Sequence, residues 1–233
     1  SRKEESSVRI LENKLKIIIT EDIKMNRVVI ANILKSFLPN AELYEAVDGQ
    51  EAIEMFKNVD PDLILMDVQL PVMDGLEATR RIRNSDNPRA KELPIVALTA
   101  GVSNQEKENC FQAGMNDFLP KPIEKEALFQ VIIKNVIGPQ KATYQTDDLL
   151  EPDVPHFDED KLLEKIDNDT DLMKSLLEMA AEEYPKFLQQ MKTACENKDA
   201  CSVKSIAHTL KGSAYNLEMT AMGDIARKME FHH

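Results

Sequence analysis

The chain has 233 residues, 42% of them hydrophobic and 30% charged, with a formal net charge of −12. That length exceeds one small core and fits about two domains. No apolar run nears the ~20 residues of a membrane span, the charged start SRKEESSVRI reads as no signal peptide, and the acidic balance argues against nucleic acid as a partner.

Residues 1–13 end in a helix-like stretch from Ser7 to Asn13, read as a connector from an upstream region. From 14 to 137, short apolar runs alternate with amphipathic stretches. The runs are LKIIIT (15–20), LYEAV (43–47), LILMD (63–67), PIVALT (94–99) and DFLPK (117–121). Helical patterns lie between and after them, near 24–38, 49–58, 74–84, 104–113 and 123–136. Such alternation predicts right-handed crossovers and a doubly wound α/β sheet of five parallel strands, with helices on both faces. Runs one, three and four are nearly continuous in Leu and β-branched residues, as central strands buried on both faces must be.

Residues 138–156, GPQKATYQTDDLLEPDVPH, are polar and acidic with three prolines, which predicts a linker. Beyond it the strand signals stop, and the second half is predicted to be all-α. Leu172, Met173, Leu176, Leu177, Ala180, Tyr184, Phe187, Leu188, Met191 and Cys195 recur at helical steps. Pro185 falls inside that pattern and should kink the helix or remove one backbone bond. A second stripe follows, with Val203, Ile206, Ala207, Leu210, Ala214 and Leu217, and a third pattern starts near Thr220. Together these predict an antiparallel bundle that is incomplete, leaving an apolar strip on the long helix to be covered by a second copy of the chain. The closing EFHH resembles a cloning site and tag, so residues 231–233 are read as vector residues. Cys110, Cys195 and Cys201 lack metal-ligand spacing and read as reduced thiols of a cytosolic chain.

In an open α/β sheet the functional crevice lies at the carboxyl ends of the strands. Run one ends in Glu21 and Asp22, run three in Asp67, run four in Thr99 and run five in Lys121. In a sheet of order 2-1-3-4-5, strands 1 and 3 are neighbours, which brings Asp22 beside Asp67. Three carboxylates in one crevice repel, and without a cation at least one should have a raised pKa. A hard divalent ion such as Mg²⁺ (or Mn²⁺) resolves the conflict. Lys121 supplies a point charge, and Thr99 a donor, for a phosphoryl oxygen.

IIITED, LILMDVQLPVMDG, IVALTA and DFLPKPI, in that order and spacing, resemble the receiver domain of two-component response regulators, over residues 14–137. The resemblance implies a flavodoxin-like fold with Asp67 as phosphoacceptor. It also implies Mg²⁺ held by Glu21, Asp22, Asp67 and the backbone carbonyl of Gln69. Thr99 and Lys121 would bind the phosphoryl group, Thr99 and Phe118 would switch on activation, and the Lys121–Pro122 bond would be cis. A receiver fold used only for docking, or a Mg²⁺-dependent phosphohydrolase with an Asp nucleophile, are the alternatives. The first is disfavoured by the intact acidic pair, Thr99 and Lys121. The second commonly wants an acid where Gln69 stands.

In the second half, helical arithmetic of ~100° per residue sets His208 about 140° from the centre of the Val203–Leu217 stripe. Lys204, Lys211, Gly212 and Tyr215 fall on that same side. The imidazole is therefore expected to face solvent between two lysines, with Gly212 opening room for a bulky partner and Lys211 offsetting a phosphoryl charge. AHTLKGSAYNL resembles the active helix of a histidine phosphotransfer (HPt) domain over about 157–230, with His208 as the phosphorylated residue. Where that family continues Asn-Leu with Gly, this chain has Glu218.

A receiver followed by a phosphotransfer domain resembles the carboxyl-terminal part of a hybrid sensor histidine kinase. The resemblance implies phosphorelay signal transduction in the cytoplasm, with a parent protein possessing a kinase and a membrane anchor upstream. Its partners would be an upstream histidine kinase domain and a downstream response regulator. No Gly-x-Gly lid for ATP occurs among the seven glycines.

Overall fold

The computed structural model describes residues 14–99, 104–137 and 157–231. The connector, the linker and His232–His233 lie outside the described residues. The chain divides into two compact units between residues 143 and 144.

The first unit runs β1 (Lys16–Thr20), α1 (Lys24–Phe37), β2 (Glu42–Ala46), α2 (Gly49–Val59), β3 (Leu63–Asp67), α3 (Gly75–Arg83), β4 (Ile95–Thr99), α4 (Asn104–Ala113), β5 (Asp117–Pro120) and α5 (Lys125–Ile132). All neighbouring strands pair in parallel, in the order β2-β1-β3-β4-β5. The Leu- and Ile-rich runs fill the centre: every residue of β3 and β4 is buried, while β2 at one edge exposes Glu42 and Glu45. Ile17, Ile18, Ile19, Leu63, Ile64 and Leu65 are wholly removed from solvent. Burying each such side chain stabilises the fold by roughly 1.5–3 kcal/mol, so the strand ends are set on a rigid base. Two helices start on aspartate caps: Asp48 accepts the Glu51 N–H and Asp74 the Glu77 N–H.

The second unit contains α6 (Glu159–Lys165), α7 (Thr170–Glu196), α8 (Ala200–Asn216) and α9 (Thr220–Phe231). Asp158, Asp169 and Asp199 cap the first three of these through the N–H groups of Lys161, Leu172 and Ser202. Pro185 does not end α7, which continues through it as one helix. The missing N–H is tolerated because packing on both sides of it, at Tyr184 and Met191, holds the helix in place. The short α6 has no counterpart in the sequence reading, since seven residues span too few turns to show a period. Along α7, Leu188 is left 59% exposed, and on α9 Ile225 is 61% exposed. Among the described residues no helix is long and apolar enough to cross a membrane.

Candidate functional site

β1 leaves the sheet after Thr20, and the Glu21 N–H still reaches the Ala46 carbonyl at 3.1 Å. The acidic pair thus begins where the ladder ends. Asp67 is the last residue of β3. Glu21 and Asp67 are buried, Asp22 is half-buried, and one ligand oxygen from each lies within 4.8 Å of the others. The Lys121 Nζ sits 2.5 Å from Glu21 Oε2 and 2.5 Å from Asp67 Oδ2. Its backbone is anchored beside β4, where the Lys121 N–H donates to the Thr99 carbonyl at 2.7 Å; the Lys121–Pro122 peptide is cis, as expected. Thr99 is buried at the end of β4, the strand beside β3. The Gln69 N–H donates to Asp67 Oδ1 at 3.0 Å, which turns the chain around the carboxylate. Gly75 makes that turn possible, because a Cβ there would lie 2.0 Å from the Asp67 carbonyl oxygen.

Phe118 on β5 is half-buried, edge-on to Phe111 with ring centroids 6.3 Å apart, and the Lys107 Nζ lies 4.8 Å from its centroid. The sheet therefore brings Glu21, Asp22, Asp67, Thr99 and Lys121 to its carboxyl edge, with Gln69 two residues after Asp67.

Burial pushes Asp67 up to about 8, with Lys121 opposing the rise and Glu21 adding to it. Asp22 is pushed up to about 6 by burial and then by the charge on Glu21. Burial would also raise Glu21, but the ammonium of Lys121 and the hydrogen bonds from Lys121 and Asn26 hold it below the ordinary range. Lys121 is itself raised: burial opposes its charge, and the two carboxylates outweigh that. Among the described residues, three carboxyl groups face the Lys121 ammonium, so the cluster has more acid than counter-charge. A convergent set of hard oxygen donors, one of them half-exposed, fits a Mg²⁺-type ion. In such a place the ion would supply charge neutralisation and polarise a phosphoryl oxygen.

In the second unit the expectation for His208 is corrected. The imidazole is only 7% exposed, and its Nδ1 lies 2.7 Å from Glu230 Oε1. Lys211 is buried too, with Nζ 2.5 Å from Glu230 Oε2, and Gly212 is buried beside it. Of the predicted polar side, Lys204 alone is exposed; Tyr215 is half-buried and donates to Asp224 at 2.6 Å. The helical arithmetic assumed one buried stripe. In fact α8 is covered on two sides: Val203 and Ala207 pack on Met191 and Ala194 of α7, and α9 lies over the His208–Lys211 side. Glu230 escaped the sequence reading because it comes from another helix, 22 positions after His208. Burial would raise this carboxyl, but its bonds to His208 and Lys211 bring it down to about 2.

Glu218 adopts a left-handed φ of 55° after α8, where glycine is ordinarily preferred. Its carboxylate pairs with the buried ammonium of Lys165 on α6, and its carbonyl accepts the Asp158 N–H at 3.1 Å. This side chain thus has a structural task that a glycine could not perform.

A family model described as "Response regulator receiver domain" matches residues 17–133, and one described as "Hpt domain" matches residues 175–232. Hybrid signal transduction histidine kinase G of Dictyostelium discoideum is 39% identical over 133 residues, covering 57% of this chain and 4% of that protein. Signal transduction histidine-protein kinase BarA of Shigella flexneri is 27% identical over 214 residues, covering 90% of this chain and 23% of that protein. The chain thus spans less than a quarter of the length of these relatives. Among solved structures, the receiver domain of sensor histidine kinase PA1611 from Pseudomonas aeruginosa PAO1, which has a magnesium ion coordinated in its active site cleft, is 36% identical. It covers 54% of this chain and 100% of its own, with a TM-score of 0.49.

Proposed function

Because this chain belongs to the response regulator receiver family and carries an Hpt domain after it, we propose that it is a two-station segment of a phosphorelay. The receiver occupies 14–137 and the phosphotransfer domain 157–230. Asp67 is the aspartyl acceptor and His208 the phosphotransfer histidine. The observation that carries this reading is the convergence of Glu21, Asp22 and Asp67 around Lys121 at the carboxyl edge of the sheet.

The phosphoryl donor is the phosphohistidine of an upstream kinase domain. A carboxylate oxygen of Asp67 attacks the phosphorus; an O–P bond forms, the N–P bond breaks, and its electron pair returns to the imidazole of the donor. Glu21, Asp22, Asp67 and the Gln69 carbonyl would hold Mg²⁺ or Mn²⁺. Lys121 and the Thr99 hydroxyl receive the phosphoryl oxygens, and Lys121 then trades its bond to Asp67 for one to the new dianion. Thr99 moving inward releases Phe118 from its packing on Phe111 and Lys107, which changes the surface that a partner meets.

His208 takes the group from Asp67 and passes it to a separate response regulator. Glu230 engages Nδ1, so Nε2 is the ring nitrogen that attacks. The 7% exposure of His208 requires the covering side chains to part before transfer. Pairing of two copies through the helical unit, whose exposed large apolar side chains among the described residues are Leu188 and Ile225, is measured by sedimentation at rising concentration; a monomer throughout removes that part.

Incubation with a small-molecule phosphodonor and Mg²⁺, followed by intact mass, tests the core of the proposal. The expected result is an adduct of about one phosphoryl group on the native chain and on His208→Gln, and none on Asp67→Asn. An adduct that survives Asp67→Asn overturns the assignment of the acceptor. The His208 leg is read with a phosphorylated partner regulator, from which label should return to this chain unless His208 is replaced.

A further inference from the structure

The two acids that precede α1 sit on a three-residue connector, Glu21 to Ile23, outside any strand or helix. The helix begins without a side-chain cap at Ile23, and backbone bonds secure only the two ends of this connector, the Glu21 N–H on the Ala46 carbonyl and the Ile23 carbonyl under the Arg27 N–H. Lys121 links Glu21 to Asp67, but the charges of Glu21 and Asp22 repel each other, which favours a connector relaxed outward. Something must hold it in.

Two buried polar residues of the first turn of α1 do so. Arg27 is 9% exposed, and its Nη1 donates to the carbonyl oxygens of both acids, at 2.7 Å to Glu21 and 2.9 Å to Asp22. Its Nε donates to Glu45 Oε2 on β2 at 2.9 Å, which orients the guanidinium from behind. Asn26 is 1% exposed, and its Nδ2 donates to Glu21 Oε1 at 2.8 Å, while the other oxygen of that carboxylate faces Lys121. The Asn26 Oδ1 is buried with no protein partner among the described residues. Leaving a carbonyl so costs about 1–3 kcal/mol, which an apolar residue among Met25, Val29 and Ile30 would avoid. An amide belongs there for its donor.

We propose that Arg27 and Asn26 are positioning residues for the cation site: a fork that fixes the backbone of Glu21 and Asp22 and the carboxylate of Glu21, so that the acids stay converged before a divalent ion arrives. This rests on the reading of Asp67 as a Mg²⁺-assisted phosphoacceptor. Neither residue touches the ion or the phosphoryl group. Their loss therefore weakens ion binding and leaves the rate at saturating ion almost unchanged. A planar guanidinium can serve two carbonyls and a carboxylate at once, whereas an ammonium on a flexible stem is a point donor; the geometry, not the charge, is what matters.

The test is Mg²⁺ affinity by calorimetry on the full chain, beside the rate of Asp67 phosphorylation from a small phosphodonor at limiting and saturating Mg²⁺. Arg27→Met should weaken Mg²⁺ binding about tenfold or more and keep the saturated rate within about twofold, the ordinary reading of a lost preorganising contact. Arg27→Lys should recover less than half of the lost binding free energy. Should Arg27→Met not fold, Asn26→Ala, which frees one carboxylate oxygen only, should still weaken binding about threefold or more. Native-like Mg²⁺ affinity in a folded Arg27→Met protein, full rescue by Arg27→Lys, or a fall in the saturated rate with affinity unchanged each overturns the proposal. If the native chain itself fails to bind Mg²⁺, it is the receiver reading that falls, and the native control separates the two.

Discussion

Cation binding at Asp67 should release a proton, and its pH dependence can be worked from the site. Asp67 is 3% exposed and is raised from an ordinary 3.8 to about 8. That corresponds to roughly 6 kcal/mol of preference for the neutral form. At pH 7 the ion-free carboxyl is then about nine-tenths protonated, and a cation that takes it as a ligand must displace that proton. Mg²⁺ affinity should fall about tenfold from pH 7 to pH 6, and more steeply below pH 6, where Asp22, raised to about 6, also protonates. Above pH 8 it should level off. Calorimetry at pH 7 in two buffers of different ionisation enthalpy should show close to one proton released per ion. A dissociation constant that stays within twofold from pH 6.5 to 8.0, with heats independent of the buffer, would refute the crowding of charge inferred for this site.

Further outcomes follow from the same groups. Asp67→Asn should stabilise the ion-free protein: a carboxyl raised by folding contributes stability at low pH that is lost as pH rises toward 8, so its removal should gain roughly 2–4 kcal/mol at pH 7, read as a higher urea midpoint. Glu218→Gly relieves a left-handed φ worth about 1–3 kcal/mol but breaks a buried ion pair worth about 3–5 kcal/mol; the net should be a lower melting temperature. Glu230 is lowered to about 2, so its contribution is full above pH 4.5 and is lost as pH falls toward 2. Glu230→Gln should therefore flatten acid unfolding over that window, followed by circular dichroism, and should also slow label transfer to His208 at neutral pH.

Much of the receiver was legible before any coordinates. Period and composition placed all five strands and the helices between them within one or two residues, because a strand buried on both faces is built almost wholly of apolar residues, and β3 and β4 follow this up to their last positions, Asp67 and Thr99. The strand-end rule then chose Glu21, Asp22, Asp67, Thr99 and Lys121, which the parallel register does bring to one edge. Residues that act through their neighbours were not legible. Arg27 and Asn26 look like ordinary polar positions near a helix start, and only the fold turns them back onto the connector.

For the helical half, sequence by itself determined two long helices, the start of a third near Thr220, and the apolar stripe of α8; the structure packs Val203 and Ala207 of that stripe on Met191 and Ala194 of α7. It could not determine what lies on the opposite side, since helical periodicity describes one segment and says nothing of a partner that arrives later in the chain. Tertiary structure decided that α9 covers His208 and brings Glu230 to Nδ1, and that the left-handed turn at Glu218 is held by Lys165. Periodic patterns encode which face of an element is apolar; the pairing of buried charges depends on distances between elements, and those exist only once the chain has folded.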